Sequence, residues 1–121
     1  MAEKKLPFSK KQLDAIIDKH PTPFHIYDEK AIRKNAREFK KAFAWNKGFK
    51  EYFAVKACPN PYILKILQAE GFGTDCSSLA ELAMSEKSGI LGEEIMFSSN
   101  DTPAEEFIKA RKLKAIINLD D

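Results

Sequence analysis

The sequence predicts an α/β fold in which alternating strands and helices form βα units around a parallel sheet. Four short segments have the pattern of β-strands, and their centres lie near residues 54, 73, 96 and 117. A segment with helical periodicity fills each gap between them, so that one unit recurs roughly every twenty residues. Polar residues follow each of the four strands. This alternation is typical of parallel α/β domains.

Two segments precede the alternation. Residues Ser9–Lys19 have the apolar spacing of an amphipathic helix, which ends at Pro21–Pro23. Residues Phe24–Tyr27 alternate between apolar and polar character in the manner of a strand. Asp28 is then positioned as the cap of a basic helix over about residues 29–43.

The first βα unit begins with a predicted strand at Tyr52–Val55. Pro61 opens the helix that follows, over Tyr62–Glu70, and Gly71 ends it. Lys56 comes directly after the strand. Because a lysine is costly to bury, its place at the end of an apolar strand indicates the mouth of a site. An amine held there can attack a carbonyl group to form a Schiff base.

The second unit begins with a predicted strand at Phe72–Asp75. Ser78 and Glu81 have the spacing of a capping box, which predicts a helix over Leu79–Lys87.

The third strand is predicted at Glu94–Phe97. Thr102 is the predicted cap of the next helix and Pro103 its first residue, and the helix runs to about Leu113. Residues Ala115–Leu119 form the fourth predicted strand.

Polar residues at the carboxyl ends of the four strands define a candidate site, because in parallel α/β architectures these ends line the ligand site. The residues concerned are Lys56, Asp75, Ser98, Ser99, Asn100 and Asp120. Since side chains alternate across a strand, Ala54 and Lys56 are expected on one face, with Phe53 and Val55 on the other under the helices. The small side chain of Ala54 would leave room for a flat ring beside Lys56.

Composition and charge exclude several classes of partner. Twenty Lys and Arg against eighteen Asp and Glu give a net charge of +2, so neither nucleic acid nor an anionic membrane is a predicted partner. No apolar run has the length of a membrane span, and a cytoplasmic protein is expected. Cys58 and Cys76 have no zinc-type spacing, so no metal site is predicted and both are expected to be reduced packing residues. His20 and His25 are expected to have surface or packing roles.

The sequence contains no G-x-G-x-x-G, Walker, G-x-S-x-G or H-E-x-x-H motif. Dinucleotide-binding, P-loop, serine-hydrolase and zinc-protease functions therefore have no support.

Two blocks of the sequence resemble the amino-terminal signature of the fold-type III pyridoxal-phosphate decarboxylases. The first block is Phe-Ala-Val-Lys-Ala-Cys-Pro-Asn-Pro at residues 53–61, and the second is Gly-Thr-Asp-Cys-Ser-Ser-Leu-Ala-Glu-Leu at residues 73–82. Diaminopimelate, ornithine, arginine and carboxynorspermidine decarboxylases belong to that family. Residues 22–28 and Glu94–Phe97 resemble further strands of its members, so the resemblance extends from about residue 22 to the end of the chain.

The resemblance implies that pyridoxal 5'-phosphate is the cofactor and that Lys56 forms the internal aldimine with it. Lys56 would also help to return a proton to the substrate carbon after carbon dioxide departs. Asp75 matches the aspartate that lies beside the cofactor and orients the amine, and Ala54 matches the small residue packed near the ring. Ser78 and Glu81 match family positions too, although helix capping explains their pairing.

The implied fold is the N-terminal part of a (β/α)8 TIM barrel of the alanine-racemase-like type, with about four βα units. A complete barrel needs about 250 residues, so the barrel is incomplete in this chain of 121 residues. We expect the chain to be the N-terminal piece of a longer enzyme and to be inactive alone. Residues 28–121 would form the first half of the cofactor-binding barrel, whereas residues 1–27 would supply a helix and a strand that belong with a C-terminal β-domain outside this chain.

The predicted function is decarboxylation of a small amino acid by a full-length homodimer. The first choice is meso-diaminopimelate, converted to L-lysine and carbon dioxide in lysine biosynthesis. Ornithine, arginine and carboxynorspermidine decarboxylases of polyamine synthesis stay as alternatives. A non-catalytic regulatory relative or an inactive truncated remnant is the alternative of another class, and the presence of both Lys56 and Asp75 argues against it.

Overall fold

A computed structural model describes residues 6–119, which contain five α-helices and four β-strands. The helices are α1 (Lys10–Lys19), α2 (Glu29–Ala42), α3 (Pro61–Ala69), α4 (Leu79–Lys87) and α5 (Ala104–Lys112). The strands are β1 (Tyr52–Ala54), β2 (Gly73–Cys76), β3 (Ile95–Ser98) and β4 (Ile116–Asn118). The predicted site residue Asp120 lies outside the described residues.

The four strands form one parallel sheet in the order β1-β2-β3-β4. One helix connects each strand to the next: α3, α4 and α5 in turn. In the register of the sheet, Ala54 pairs with Asp75, Asp75 with Met96, and Met96 with Ile116. The α/β class and the parallel sheet predicted from the sequence are therefore confirmed.

The two faces of the sheet differ in burial. Side chains on the helix-covered face form a core whose members include Val55, Cys76, Ile95 and Phe97, all at most 1% exposed. The buried residues of this cluster are Val55, Leu64, Cys76, Leu82, Ile90, Ile95, Phe97, Ala110 and Leu113. On the opposite face, the residues of the register row from Ala54 to Ile116 are half-buried or exposed. The sheet is therefore packed on one face and open on the other.

Helix α2 packs against α3 and extends the helical layer beyond β1. A second apolar cluster joins Ala36 of α2 to Ile63 and Leu67 of α3. The carboxylate of Glu70, just after α3, accepts hydrogen bonds from Arg37 at 2.8 Å and from Arg33 at 3.0 Å. These two guanidinium groups, Arg37 first, lower the pKa of Glu70 from 4.5 to about 2.

At the amino end of the sheet, the side chain of Tyr52 lies across β2. Its hydroxyl donates to the carbonyl oxygen of Glu93 at 2.8 Å, beside β3. A Cβ atom placed on Gly73 would lie 2.5 Å from Cδ1 of Tyr52. The ring of Tyr52 therefore needs a glycine at the start of β2.

Two local predictions do not match the described residues. Residues Phe24–Tyr27 form no strand within residues 6–119, because a strand exists only where a neighbour accepts its hydrogen bonds, and the sheet ends at β1. This strand is expected to belong with a β-domain outside the chain, and that assignment stays a prediction. Thr102 does not cap α5, because its hydroxyl donates to the carbonyl oxygen of Ser99 at 2.8 Å. The N-cap is Pro103, and α5 begins at Ala104.

Candidate active site

Lys56 lies in a turn that begins where β1 ends. Strand β1 stops at Ala54, one residue earlier than predicted, and Val55–Ala57 form a short 3-10 helix. The turn buries Val55 in the core and leaves Lys56 exposed. The expectation that Ala54 and Lys56 share one face of a continuous strand is therefore wrong, since strand alternation stops between them. Lys56 nevertheless remains at the carboxyl edge of the sheet.

The loop after Lys56 is held by the start of α3. The backbone N–H of Cys58 donates to the carbonyl oxygen of Val55 at 3.2 Å, which closes the turn. Asn60 then caps α3, because its Oδ1 accepts a hydrogen bond from the N–H of Tyr62 at 3.0 Å. Pro61 occupies the first helical position, as predicted. These contacts restrict the backbone on the carboxyl side of Lys56.

Ala54 and Asp75 are direct neighbours across β1 and β2. Their Cα atoms are partners in the parallel register, so the two backbones lie roughly 4.8 Å apart. Asp75 is half-buried on the open face, and Lys56 follows Ala54 by two residues at the same edge. The structure thus brings the three predicted site residues to one corner of the sheet. Met96, the register partner of Asp75 on its other side, extends this row and was not predicted as a site residue.

The amino end of α4 lies at the same edge and is occupied by carboxylates. Ser78 Oγ accepts a hydrogen bond from the N–H of Glu81, which confirms the Ser78 half of the predicted capping box. The carboxylate of Glu81 accepts from the N–H of Ser77 at 2.9 Å. Glu106 Oε1 accepts from the N–H of Leu79 at 2.9 Å. Helix amino ends attract phosphate, but two carboxylates disfavour a phosphate group here.

The two cysteines lie away from this row. Cys76 is buried on the helix-covered face, where its Sγ lies 3.2 Å from Ser85 Oγ. Burial raises the pKa of the Cys76 thiol. Cys58 is half-buried, and its thiol donates to the hydroxyl of Tyr27 at 3.7 Å. Both positions agree with the packing roles predicted for these residues.

The residues at this corner fit a pyridoxal phosphate ring. Lys56 offers an exposed primary amine, Asp75 a neighbouring carboxylate, and Ala54 a small side chain on the open face.

Among residues 6–119, no group of three or more His, Cys, Asp or Glu side chains is arranged to hold a metal ion. Within the same range, no helix has both the length and the apolar character needed to cross a bilayer.

Comparison with known proteins identifies the family. Residues 29–120 match the family described as pyridoxal-dependent decarboxylase, pyridoxal binding domain. The chain belongs to this family, and pyridoxal phosphate is the cofactor that membership implies.

Individual relatives are similar over most of this chain. Protein TabA of Pseudomonas amygdali pv. tabaci is 47% identical over 109 residues, which cover 90% of this chain and 26% of TabA. Diaminopimelate decarboxylase of Thermoplasma acidophilum is 35% identical over 89 residues, which cover 74% of this chain and 22% of that enzyme. The crystal structure of diaminopimelate decarboxylase from Helicobacter pylori, complexed with L-lysine, superposes with a TM-score of 0.78 at 32% identity, covering 90% of this chain and 28% of that one. The chain thus spans about a quarter of the length of the curated relatives that it matches.

Proposed function

We propose that this chain supplies the lysine-bearing part of a pyridoxal-phosphate-dependent amino-acid decarboxylase, and that Lys56 binds the cofactor covalently. One observation carries the proposal. Ala54 and Asp75 are register partners at the carboxyl edge of a parallel sheet, and Lys56 follows Ala54 in a turn at that edge. All three residues lie within the segment that matches the family.

Each of the three residues has a separate task in this proposal. The amine of Lys56 is the nucleophile that attaches the cofactor, and in its ammonium form it can return a proton to the substrate carbon. The carboxylate of Asp75 accepts a hydrogen bond from that amine and orients it. Ala54 leaves the space that a flat ring needs. When bound, pyridoxal phosphate supplies the electron sink that stabilises the negative charge left as carbon dioxide departs.

The proposed substrate is meso-diaminopimelate, which would give L-lysine and carbon dioxide. Support comes from the relatives named diaminopimelate decarboxylase and from the solved structure of such an enzyme. The name of TabA carries no information about a substrate. Ornithine, arginine and carboxynorspermidine remain the alternative substrates. The cytoplasmic location and the homodimer also stay predictions. So does the domain boundary between residues 27 and 28.

Covalent labelling of Lys56 tests the proposal. The natural protein that contains this chain is incubated with pyridoxal phosphate, reduced with borohydride and mapped by peptide mass analysis. The label is expected on Lys56 and is expected to be lost in Lys56→Ala. Lys65→Ala is the matched control, because Lys65 is an exposed lysine on α3, and this variant should label as wild type does. A label on another lysine, or one that persists in Lys56→Ala, would contradict the proposal.

Release of carbon dioxide then tests the substrate. Separate, unreduced protein loaded with pyridoxal phosphate is assayed with meso-diaminopimelate, ornithine, arginine and carboxynorspermidine in turn, and the highest kcat/KM is expected for meso-diaminopimelate. A protein that takes the label on Lys56 but decarboxylates none of the four would instead favour the non-catalytic relative.

A further inference from the structure

The carboxylate of Glu106 joins two loops at the carboxyl edge of the sheet. Glu106 lies in the first turn of α5 and is half-buried. Its Oε1 accepts a hydrogen bond from the N–H of Leu79, the first residue of α4, at 2.9 Å. Its Oε2 accepts a hydrogen bond from Ser99 Oγ at 3.4 Å. One side chain thus contacts both the loop after β2 and the loop after β3.

Both of these loops begin at the carboxyl ends of strands that carry residues of the open face, Asp75 in β2 and Met96 in β3. Asp75 precedes Ser77 by two residues, and Ser77 is itself bound by the carboxylate of Glu81. Ser99 follows the last residue of β3, and its carbonyl oxygen accepts the hydroxyl of Thr102 at 2.8 Å. A shift of either loop would therefore move the end of the strand that carries Asp75 or the end of its neighbour.

The hydrogen bond from the N–H of Leu79 to Glu106 links two helices, which a cap formed within α4 cannot do. The first N–H groups of a helix have no partner within the helix, and Ser78 Oγ satisfies one of those of α4, the N–H of Glu81. The carboxylate of Glu81 accepts instead from the N–H of Ser77, which precedes the helix. Glu106 comes from another helix, 27 residues further along the chain. A carboxylate at a helix amino end is stabilised by the helix dipole, and hydrogen bonds to an ionised acceptor are the strong ones. The contact therefore fixes α4 relative to α5.

We infer that Glu106 is a positioning residue of the active site, which holds the ends of β2 and β3 together so that Asp75 faces the Lys56 amine. This inference rests on the proposed function. Glu106 acts through the backbone of Leu79 and the side chain of Ser99, and it does not touch the reacting atoms.

Three variants of the natural full-length protein test the inference. Glu106→Ala removes both contacts, and Glu106→Gln keeps an oxygen that can accept from the N–H of Leu79. Glu105→Ala removes the same charge from the same turn of α5 at an exposed position. Four quantities are measured: the hydrogen-exchange rate of the Leu79 amide, kcat normalised to bound cofactor, KM, and the pH midpoint at which the absorption of the bound cofactor changes.

Glu106→Ala is expected to speed exchange of the Leu79 amide about tenfold, because an ionised acceptor is lost. It is also expected to lower kcat roughly ten- to a hundredfold with KM within about threefold, since small displacements of positioned groups cost this much. The pH midpoint should shift in Glu106→Ala. Glu106→Gln should keep the exchange rate, kcat and KM within about threefold of wild type and the pH midpoint at its wild-type value, and Glu105→Ala should change none of the four quantities.

The outcomes separate this inference from the proposed function. Wild-type protein that binds no pyridoxal phosphate would overturn the proposed function and, with it, the role of Glu106 in an active site. If wild type binds the cofactor and turns over substrate, while Glu106→Ala keeps the wild-type kcat and pH midpoint, the inference on Glu106 alone is overturned. Normalising kcat to bound cofactor removes any contribution from unfolded protein.

Discussion

The aromatic ring of Tyr52 passes over Gly73, so that a side chain from β1 crosses β2 and donates to the carbonyl oxygen of Glu93 at 2.8 Å. Lys50 lies beside this contact, with its Nζ 2.5 Å from Glu94 Oε1. The start of β3 is therefore tied to the start of β1 by side chains that bridge the strand between them. Gly73, the first residue of the second sequence block, thus has a structural role at the end of the sheet opposite to Lys56.

Gly73→Ala is expected to destabilise the protein by about 1–3 kcal/mol, the usual cost of overpacking. The new Cβ would lie 2.5 Å from Tyr52 Cδ1 and 2.6 Å from the backbone oxygen of Glu94, and the second atom cannot rotate away. Unfolding in urea measures the change. Gly48→Ala is the control, because its Cβ would meet its nearest neighbour at 3.7 Å, and a change above about 0.5 kcal/mol there would be unexpected.

A second substitution separates the two clashes at Gly73. The loss of stability caused by Gly73→Ala should be smaller in a Tyr52→Ala background than in wild type. Without the ring, only the clash with Glu94 remains. Strictly additive effects would show that the ring and the glycine do not depend on each other.

The ion pairs of Glu70 predict a particular dependence of stability on pH. The pKa of Glu70 is lowered to about 2 in the folded protein from an ordinary value of 4.5, by Arg37 and then Arg33. As the pH falls, the unfolded chain therefore takes up the proton first. The stabilisation is complete above the unfolded pKa and is lost between about pH 4.5 and about pH 2.

Comparison of wild type with Glu70→Gln measures this contribution. Wild type should be more stable at pH 7, and the difference in the free energy of unfolding should shrink steadily below about pH 4.5. Glu38→Gln is the control, because Glu38 pairs with Lys34 at an exposed place on α2. A Glu70 difference that stays constant from neutral pH down to pH 3 would be inconsistent with the lowered pKa.

Ala54→Leu is expected to weaken cofactor binding without weakening the fold. The larger side chain would fill the open face beside Asp75, so the affinity for pyridoxal phosphate should fall roughly tenfold or more, or about 1.4 kcal/mol. The free energy of unfolding of this chain should change by less than about 1 kcal/mol, because Ala54 is only half-buried and none of the helices within residues 6–119 covers that face. Absorption titration and urea unfolding measure the two quantities. Ala80→Leu, at an exposed position on α4, should alter neither, and normal binding by Ala54→Leu would place the ring elsewhere.

The two cysteines are expected to differ in reactivity towards a thiol reagent in the native protein. Cys76 is 0% exposed and burial raises its pKa, so it should react only after unfolding. Cys58 is half-buried near the surface and should react first. The fast phase should therefore disappear in Cys58→Ser and persist in Cys76→Ser. The reverse pattern would mean that the β2 core opens readily.

The fold was predictable where boundaries depend on local chemistry. Gly71 ends the first connecting helix with a φ of +87°, a conformation that favours glycine, and Ser78 caps the next helix. Both features are visible in the sequence. Residues Phe24–Tyr27 form no strand within residues 6–119, because strand formation depends on a neighbouring strand as well as on the local sequence. The prediction that Thr102 caps α5 was wrong because its hydroxyl donates instead to the carbonyl oxygen of Ser99.

The candidate site was predictable only in part. Lys56, Ala54 and Asp75 were found through two sequence blocks, and their roles stay predictions. The turn that takes Lys56 out of β1 was not foreseen, because Val55 is buried as strand alternation predicts although the backbone has already entered a 3-10 turn at that residue. Glu106 was missed because its partners Leu79 and Ser99 lie 27 and 7 residues away, and no local pattern marks a contact of that kind.

One face of the sheet packs against the helices and the other carries the candidate site residues, and this difference affects how such a protein can evolve. Residues such as Thr74 and Phe97 hold the sheet to its helices, whereas Ala54, Asp75 and Met96 alternate with them on the other side. A mutation in the second group changes what the surface can recognise, while the first group continues to maintain the fold. New specificities can therefore accumulate on one side of a strand without eroding the scaffold on the other.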